Sequence, residues 1–240
     1  YDVSDNHIIY LNLARSHRDP HSAEQFQRQA GQNDNHIDSA QTDSIELGLR
    51  GGDNILTTEI NLFGMRKRNV VFTDSDANTI YDAKTRHYGI ELSATYAPLS
   101  WLEIEAAASY ARHRFAEDAE LPDASPLSIN GNDLNAAPRH IDRLQLGLNP
   151  WHDGRITIEW LNVGKYYLDA GNTENYSGHD LANIGLQQKW QRFTVAAQVL
   201  NATDTDYAEY ADTVPLSNPV EPRYLPGAPR SYYVSVDYDF

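Results

Sequence analysis

The sequence predicts an all-β chain of about ten antiparallel strands in meander order, standing between an apolar medium and water. Three observations lead there: strict two-residue alternation, connections that switch between short and long, and no continuous apolar run. The alternation is clearest between Arg230 and Phe240. Tyr232, Val234, Val236, Tyr238 and Phe240 make one face there, and Ser231, Tyr233, Ser235, Asp237 and Asp239 the other. This is the period-2 pattern of a strand whose two sides meet different surroundings. The final half-buried strand of a soluble β-sandwich would alternate in the same way, so the remaining elements must decide.

Composition removes several classes. The chain has 240 residues, a formal net charge of −15, a mean hydropathy of −0.60, one Met and no Cys. Nothing in it approaches the ~20 apolar residues of a membrane-spanning helix. A transmembrane β-barrel stays open, because alternating strands average a lipid face with a polar lumen face. The acidic balance and the lack of Lys/Arg clusters argue against a nucleic-acid partner. Fifteen Tyr and four Trp against six Phe form an amphipathic aromatic set suited to a membrane interface.

Taken in order, the expected strands cover about 7–16, 43–51, 54–67, 85–97, 101–115, 138–149, 155–168, 180–190, 192–206 and 230–240. In the second, Ile45, Leu47 and Leu49 oppose Ser44, Glu46, Gly48 and Arg50. The fourth sets Tyr88, Ile90, Leu92, Ala94 and Tyr96 against His87, Gly89, Glu91, Ser93 and Thr95, and the fifth sets Leu102, Ile104, Ala106, Ala108 and Tyr110 against Glu103, Glu105, Ala107, Ser109, Ala111 and His113. Leu144, Leu146 and Leu148 then oppose Arg143, Gln145 and Gly147, while Ile156, Ile158 and Trp160 oppose Thr157 and Glu159. Small residues and carboxylates share one face throughout. Tight-turn residues separate strands at 51–54, 98–100, 150–154 and 190–191, and long polar stretches separate them at 17–42, 68–84, 116–137, 169–179 and 208–229. Strict short–long alternation is what a barrel with short periplasmic turns and long outer loops requires. A sandwich has no need of it. Counting back from Phe240, which must lie on the periplasmic side, puts every short turn at that end.

Several local patterns carry a family resemblance. Asn201-Ala202-Thr203-Asp204-Thr205-Asp206-Tyr207, after the strand beginning at Phe193, resembles a motif in the penultimate strand of TonB-dependent outer-membrane receptors. Pro226-Gly227-Ala228-Pro229-Arg230 resembles the lead-in to their last strand. Ala14-Arg15-Ser16-His17-Arg18-Asp19-Pro20, followed by Ser44-Ile45-Glu46-Leu47-Gly48-Leu49-Arg50, is similar to two earlier segments, as are Ala137-Pro138-Arg139-His140 and Gly164-Lys165-Tyr166-Tyr167-Leu168-Asp169. Asp19 and Ala202 depart from the commoner Ala and Leu. The resemblance implies that residues 1–240 are the C-terminal part of an approximately 22-strand barrel, an open sheet in isolation, with the plug domain and signal peptide outside this chain. It further implies a receptor in the bacterial outer membrane, inserted by the barrel assembly machinery and bounded by outer-membrane lipid. The TonB system would energise import of a scarce nutrient chelate, most often a ferric siderophore. A porin, a barrel enzyme and a soluble β-rich binding module are the alternatives.

The residues offer no catalytic chemistry. GxSxG, HExxH, P-loop and GxGxxG patterns are all lacking, so no enzyme, metal or cofactor is expected. Asn33-Asp34-Asn35-His36-Ile37-Asp38 lacks the segment that haem receptors of the family carry. Glu117-Asp118-Ala119-Glu120 and Asp74-Ser75-Asp76-Ala77-Asn78 match no complete calcium loop and read as solvated charge. Strand parity and loop position nominate His17, Arg18, His113, Lys165 and Tyr167 for cargo at the outer mouth. Glu103 and Glu105 are expected to face the plug, and Tyr232, Val234, Val236, Tyr238 and Phe240 to form the assembly signal.

Overall fold

The computed structural model describes residues 2–240 apart from 5, 23, 25–36, 75, 76, 78, 122–125 and 218. The strands are β1 (Asp2–Ser4), β2 (His7–Arg18), β3 (Ala40–Gly52), β4 (Leu56–Thr73), β5 (Thr79–Leu99), β6 (Leu102–Phe115), β7 (Ala119–Glu120), β8 (Pro126–Leu127), β9 (His140–Leu148), β10 (Gly154–Val163), β11 (Tyr166–Tyr167), β12 (Asn175–Tyr176), β13 (His179–Trp190), β14 (Phe193–Leu200), β15 (Ala208–Thr213), β16 (Pro222–Pro226) and β17 (Ser231–Tyr238). Eleven of them form one antiparallel sheet in the order β1-β2-β3-β4-β5-β6-β9-β10-β13-β14-β17. Short strands pair off as β7 with β8, β11 with β12 and β15 with β16. Neighbours follow sequence order, and among the described residues β17 pairs only with β14, so the sheet is open.

Register carries the alternation from strand to strand. Leu47 lies opposite Leu62, Leu62 opposite Ile90, and Ile90 opposite Tyr110, which makes one continuous apolar outer face. Ile90 is 41% exposed and Leu13 68%, while His87 on the other face is 9% exposed. Such a surface in water would be a large liability, and among the described residues no second sheet covers it. The buried apolar residues gather instead at the long-loop end, in one cluster of Tyr166, Leu168, Tyr176, Ala208 and Ala211 and another of Phe115, Ile129 and Ala170. A sandwich would have buried the belt. This chain buries its loops and leaves the belt exposed.

The short turns use the expected chemistry. The Asp53 carboxylate accepts from the backbone N–H of Ile55 at 2.7 Å and of Leu56 at 2.9 Å, and these bonds hold its pKa below the ordinary value. Asp153 and Gln191 take left-handed φ of 58° and 55°, as tight turns demand.

At the long-loop end four expectations change. Within 68–84, read as loop, β4 runs on to Thr73 and β5 starts at Thr79, because Phe72 packs against Phe115 with ring centroids 5.0 Å apart and Ile80 is fully buried. A polar-looking stretch thus hides enough apolar residues to extend a hairpin. β5 reaches 21 residues, about twice the roughly 9–11 that span a bilayer. The strand expected at 155–168 ends at Val163, since Tyr166–Tyr167 turns away to pair with Asn175–Tyr176. The strand expected at 192–206 ends at Leu200, because Asn201 enters the left-handed region at φ 49°. The loop at 208–229 also contains a hairpin of its own.

Candidate functional site

The inner wall near the short turns is a charge ladder. Arg143 donates to Glu159 at 2.6 Å and to Glu105 at 3.2 Å, and Arg155 donates to Glu103 at 2.5 Å. Asn183 donates to the second oxygen of Glu159 at 2.8 Å. Alternation places all of these on one face, and cross-strand pairs on neighbouring strands bring them into reach. Glu103 and Glu105 therefore have arginine partners within the wall, yet each keeps about a third of its side chain exposed. A carboxylate has about four acceptor sites, and Glu103 uses one on Arg155 while Glu105 uses two on Arg143 and Gln145, so both can take a further donor. Farther round, the Tyr10 ring lies across Gly48, where an added Cβ would collide with it. Its hydroxyl reaches Glu59 at 3.0 Å and Asn61 at 2.5 Å. A groove of about 530 Å³ runs along this wall past Arg50, Glu59, Ser93, Glu105 and Arg143.

Towards the long loops the wall changes character. His87 and His113 lie directly opposite each other, with Nδ1 atoms 2.8 Å apart, and His87 Nε2 shares a hydrogen bond with the buried Thr85 hydroxyl at 2.8 Å. Met65 faces His87 across the next strand. His87 was within reach of sequence reasoning, since it shares the inner parity of Glu91 and Ser93; its partnership with His113 needed the register.

Above this, the loops fasten to one another. The buried Asp133 receives Arg114 at 3.2 Å, and Arg139 both at 2.7 Å through Nε and through a second nitrogen. Its backbone exchanges bonds with the Asn172 side chain at 2.9 and 2.8 Å. Asp169 caps the following turn by accepting from Thr173 and Glu174. Tyr166 and Tyr176 accept from the backbone N–H of Ala211 and Ala208, and burial raises the Tyr166 pKa. The described residues of loop 116–139, loop 164–178 and the β15–β16 hairpin consequently form one connected cap.

The five nominated mouth residues fall in three places. Lys165 Nζ lies 5.3 Å from the Tyr167 ring centroid, so these two act together on the cap. His113 stands on the inner wall beside His87. Arg18 is held in a two-pronged pair with Glu24 at 2.9 and 3.0 Å. His17 shares the outward parity of Leu11 and Leu13 and is exposed. Among the described residues no hydrogen bond or ion pair links His17 or Arg18 to the other three.

The loop acids have structural partners: Asp118 accepts from the backbone N–H of Ile129 and Asn130, and Glu117 pairs with Lys84 at 2.8 Å. Ser75, Asp76 and Asn78 of the other acidic loop, and Asn33 to His36, lie outside the described residues. Among the described residues no three His, Asp or Glu side chains are grouped to hold a metal.

The two C-terminal motifs meet. Asn201, 4% exposed, donates to the carbonyls of Thr205 at 2.9 Å and Ala228 at 3.2 Å and accepts from Thr205 N–H at 2.8 Å. Asp204 accepts from Arg230 N–H at 3.0 Å, and Gly227 N–H donates to the Tyr207 carbonyl at 2.8 Å. Asn201, Asp204 and Tyr207 thus form a clasp that seats the lead-in to β17.

A family model described as TonB dependent receptor-like, beta-barrel, matches residues 1–202. Among solved structures, the ferric-catecholate import receptor Fiu from E. coli K12 superposes with a TM-score of 0.75 at 19% identity, over 100% of this chain and 34% of that one. The ferric yersiniabactin uptake receptor FyuA from Yersinia pestis gives 0.78 at 16%, over 100% and 36%. The ferric citrate transporter FecA gives 0.78 at 21%, over 100% and 37%. At these identities the likeness is one of fold, and the chain spans about a third of each receptor's length. No curated protein sequence matches the chain significantly.

Proposed function

Because the chain belongs to the TonB-dependent receptor-like β-barrel family, we propose that it forms the C-terminal barrel wall of an outer-membrane receptor that imports a ferric chelate with energy relayed by the TonB system. The observation that carries this reading is the division of the sheet into an uncovered apolar outer face and an inner face of paired charges. Lipid suits the first and a hydrated path the second. The solved receptors of like fold include importers of ferric catecholate, ferric yersiniabactin and ferric citrate, which favours an iron chelate as cargo. In this reading the long-loop end is extracellular. His113 with His87, and Lys165 with Tyr167, offer an acidic chelate hydrogen-bond donors and a cation, while Arg18 and His17 lie farther out. Glu103 and Glu105 use their remaining acceptor capacity on basic groups of a plug. TonB, the assembly machinery and the lipid bilayer are the expected partners.

The test is uptake of radiolabelled iron by cells carrying the full-length protein. Replacing His17, Arg18, His113, Lys165 and Tyr167 by Ala should cut uptake while the folded barrel remains in the outer membrane. Unchanged cargo affinity would move the binding site away from these residues.

A further inference from the structure

One rung of the inner wall, above the charge ladder, carries soft donors instead of ion pairs. Ser44, Met65, His87 and His113 stand directly opposite one another across β3, β4, β5 and β6. Period-2 geometry puts all four on the face of Glu91 and Glu105. Met65 is the chain's only Met, and among the described residues His87 and His113 are the one pair of His joined by a hydrogen bond. Directly opposite residues hold their Cβ atoms about 4.5–5.5 Å apart, so the long, unbranched Met65 side chain reaches the His87 ring.

The His pair is arranged head-on. Its Nδ1 atoms are 2.8 Å apart and its ring centroids 5.0 Å apart, a difference that the two rings themselves take up, so each nitrogen points almost straight at the other. One proton stands between them, because two lone pairs or two N–H groups so placed would repel. His87 Nε2 meets the buried Thr85 hydroxyl at 2.8 Å. With Nε2–H donating there, the His87 Nδ1 lone pair is turned towards His113, and an oxygen on the far nitrogen is how ligating imidazoles are fixed in one tautomer. Among the described residues His113 makes no second side-chain hydrogen bond, so its ring can swing. A metal ion about 2 Å from each nitrogen needs them about 4 Å apart, an opening that rotation of His113 supplies.

We propose that His87, His113 and Met65 bind one monovalent copper ion, held between the two imidazoles with the thioether as a weaker third donor. Imidazole and thioether suit Cu(I), whereas Zn2+ asks for a tetrahedron of donors and among the described residues no carboxylate joins the two His. The ion replaces the shared proton, which moves to His113 Nε2, so both rings end neutral. Lys67, one inner rung higher and opposite Thr85, opposes any cation here, and a monovalent ion meets less of that repulsion than a divalent one. The site rests on the inner face being the wet face, as proposed above, and does not depend on an iron cargo.

The experiment uses the purified full-length protein in detergent, without cargo or TonB, and silver nitrate as the probe, because Ag(I) matches Cu(I) in charge and softness and keeps its oxidation state. Metal retained after desalting is counted by inductively coupled plasma mass spectrometry. His87→Gln and His113→Gln should each retain one Ag(I) fewer than wild type, and His152→Gln, in a short turn, as many. Thr85→Val should weaken binding on the order of tenfold or more, Met65→Leu should also weaken it, and Lys67→Gln should tighten it. In the wild type, which needs no substitution, Ag(I) should shield His87 and His113 but not His152 from diethylpyrocarbonate. Equal counts in wild type and a folded His113→Gln, no shielding of the pair, or Zn2+ held as tightly as Ag(I) would overturn the proposal. Cell fractionation tests the membrane placement and iron uptake tests the cargo, and neither enters the Ag(I) count, so the failures stay distinguishable.

Discussion

At position 227 the lack of a Cβ lets the Tyr207 ring lie flat on the chain that leads into β17. Gly227→Ala would force the ring out, loosening the clasp of Asn201, Asp204 and Tyr207 without touching any strand. The expected result is a lower yield of folded barrel, read as the heat-resistant fraction on a gel. Asn201→Ala should cost about 1–3 kcal/mol, because it strands the Thr205 N–H and two carbonyls in a buried place. A denaturant midpoint equal to that of wild type would refute the clasp. Asp53 makes a pH-dependent contribution of known sign. Its folded pKa is depressed by two backbone N–H donors, so the stability it adds is present above its ordinary value, about 3.9, and is lost as pH falls through the lower folded value. The Ile55 and Leu56 amide resonances should titrate with a midpoint below about 3.9 in wild type, and Asp53→Asn should abolish that titration.

Within an element, the face of a residue outweighs its type. Ile104 lies on the outer face of β6 and Ser109 on the inner face opposite Glu91. Ile104→Arg should cost up to roughly 2–4 kcal/mol of stability in lipid, depending on depth, while Ser109→Arg should cost much less and gain a neighbouring carboxylate. Urea unfolding in lipid vesicles would settle the order, and a reversed ranking would invert the assignment of faces. β4 and β5 outgrow their expected lengths past two register shifts, between Lys67 and Val70 and between Val70 and Phe72. Past the belt, Phe72 packs against Phe115 and lies opposite the buried Ile80 in register, and a hairpin persists wherever its side chains have somewhere dry to go.

As a whole, the sheet has two edges, β1 and β17, each with unpaired backbone groups. Edges of this kind recruit other strands unless they are covered, and inside lipid unpaired groups are costlier still. Residues 1–240 prepared alone in detergent should therefore self-associate, while the full-length protein should run as one species by light scattering. A monodisperse monomer of the isolated chain, with exchange-protected β17 amides, would mean that β17 finds a partner within it.

The sequence by itself determined what each strand says about its own surroundings. Alternation is local, so the in/out parity of Tyr88 to Tyr96 or of Tyr232 to Phe240, the short turns and the meander order were all legible. The motifs around Asn201 and Pro226 were visible as separate pieces. Tertiary structure alone decided which residues meet. Register paired His87 with His113 and Glu103 with Arg155, and it set Arg66 against Arg86. The packing of one loop on another ended β10 at Val163 and buried Asp133 beneath three arginines. Those pairings join residues from 6 to 52 positions apart, and a period of two residues records which way a side chain points but not what stands across from it.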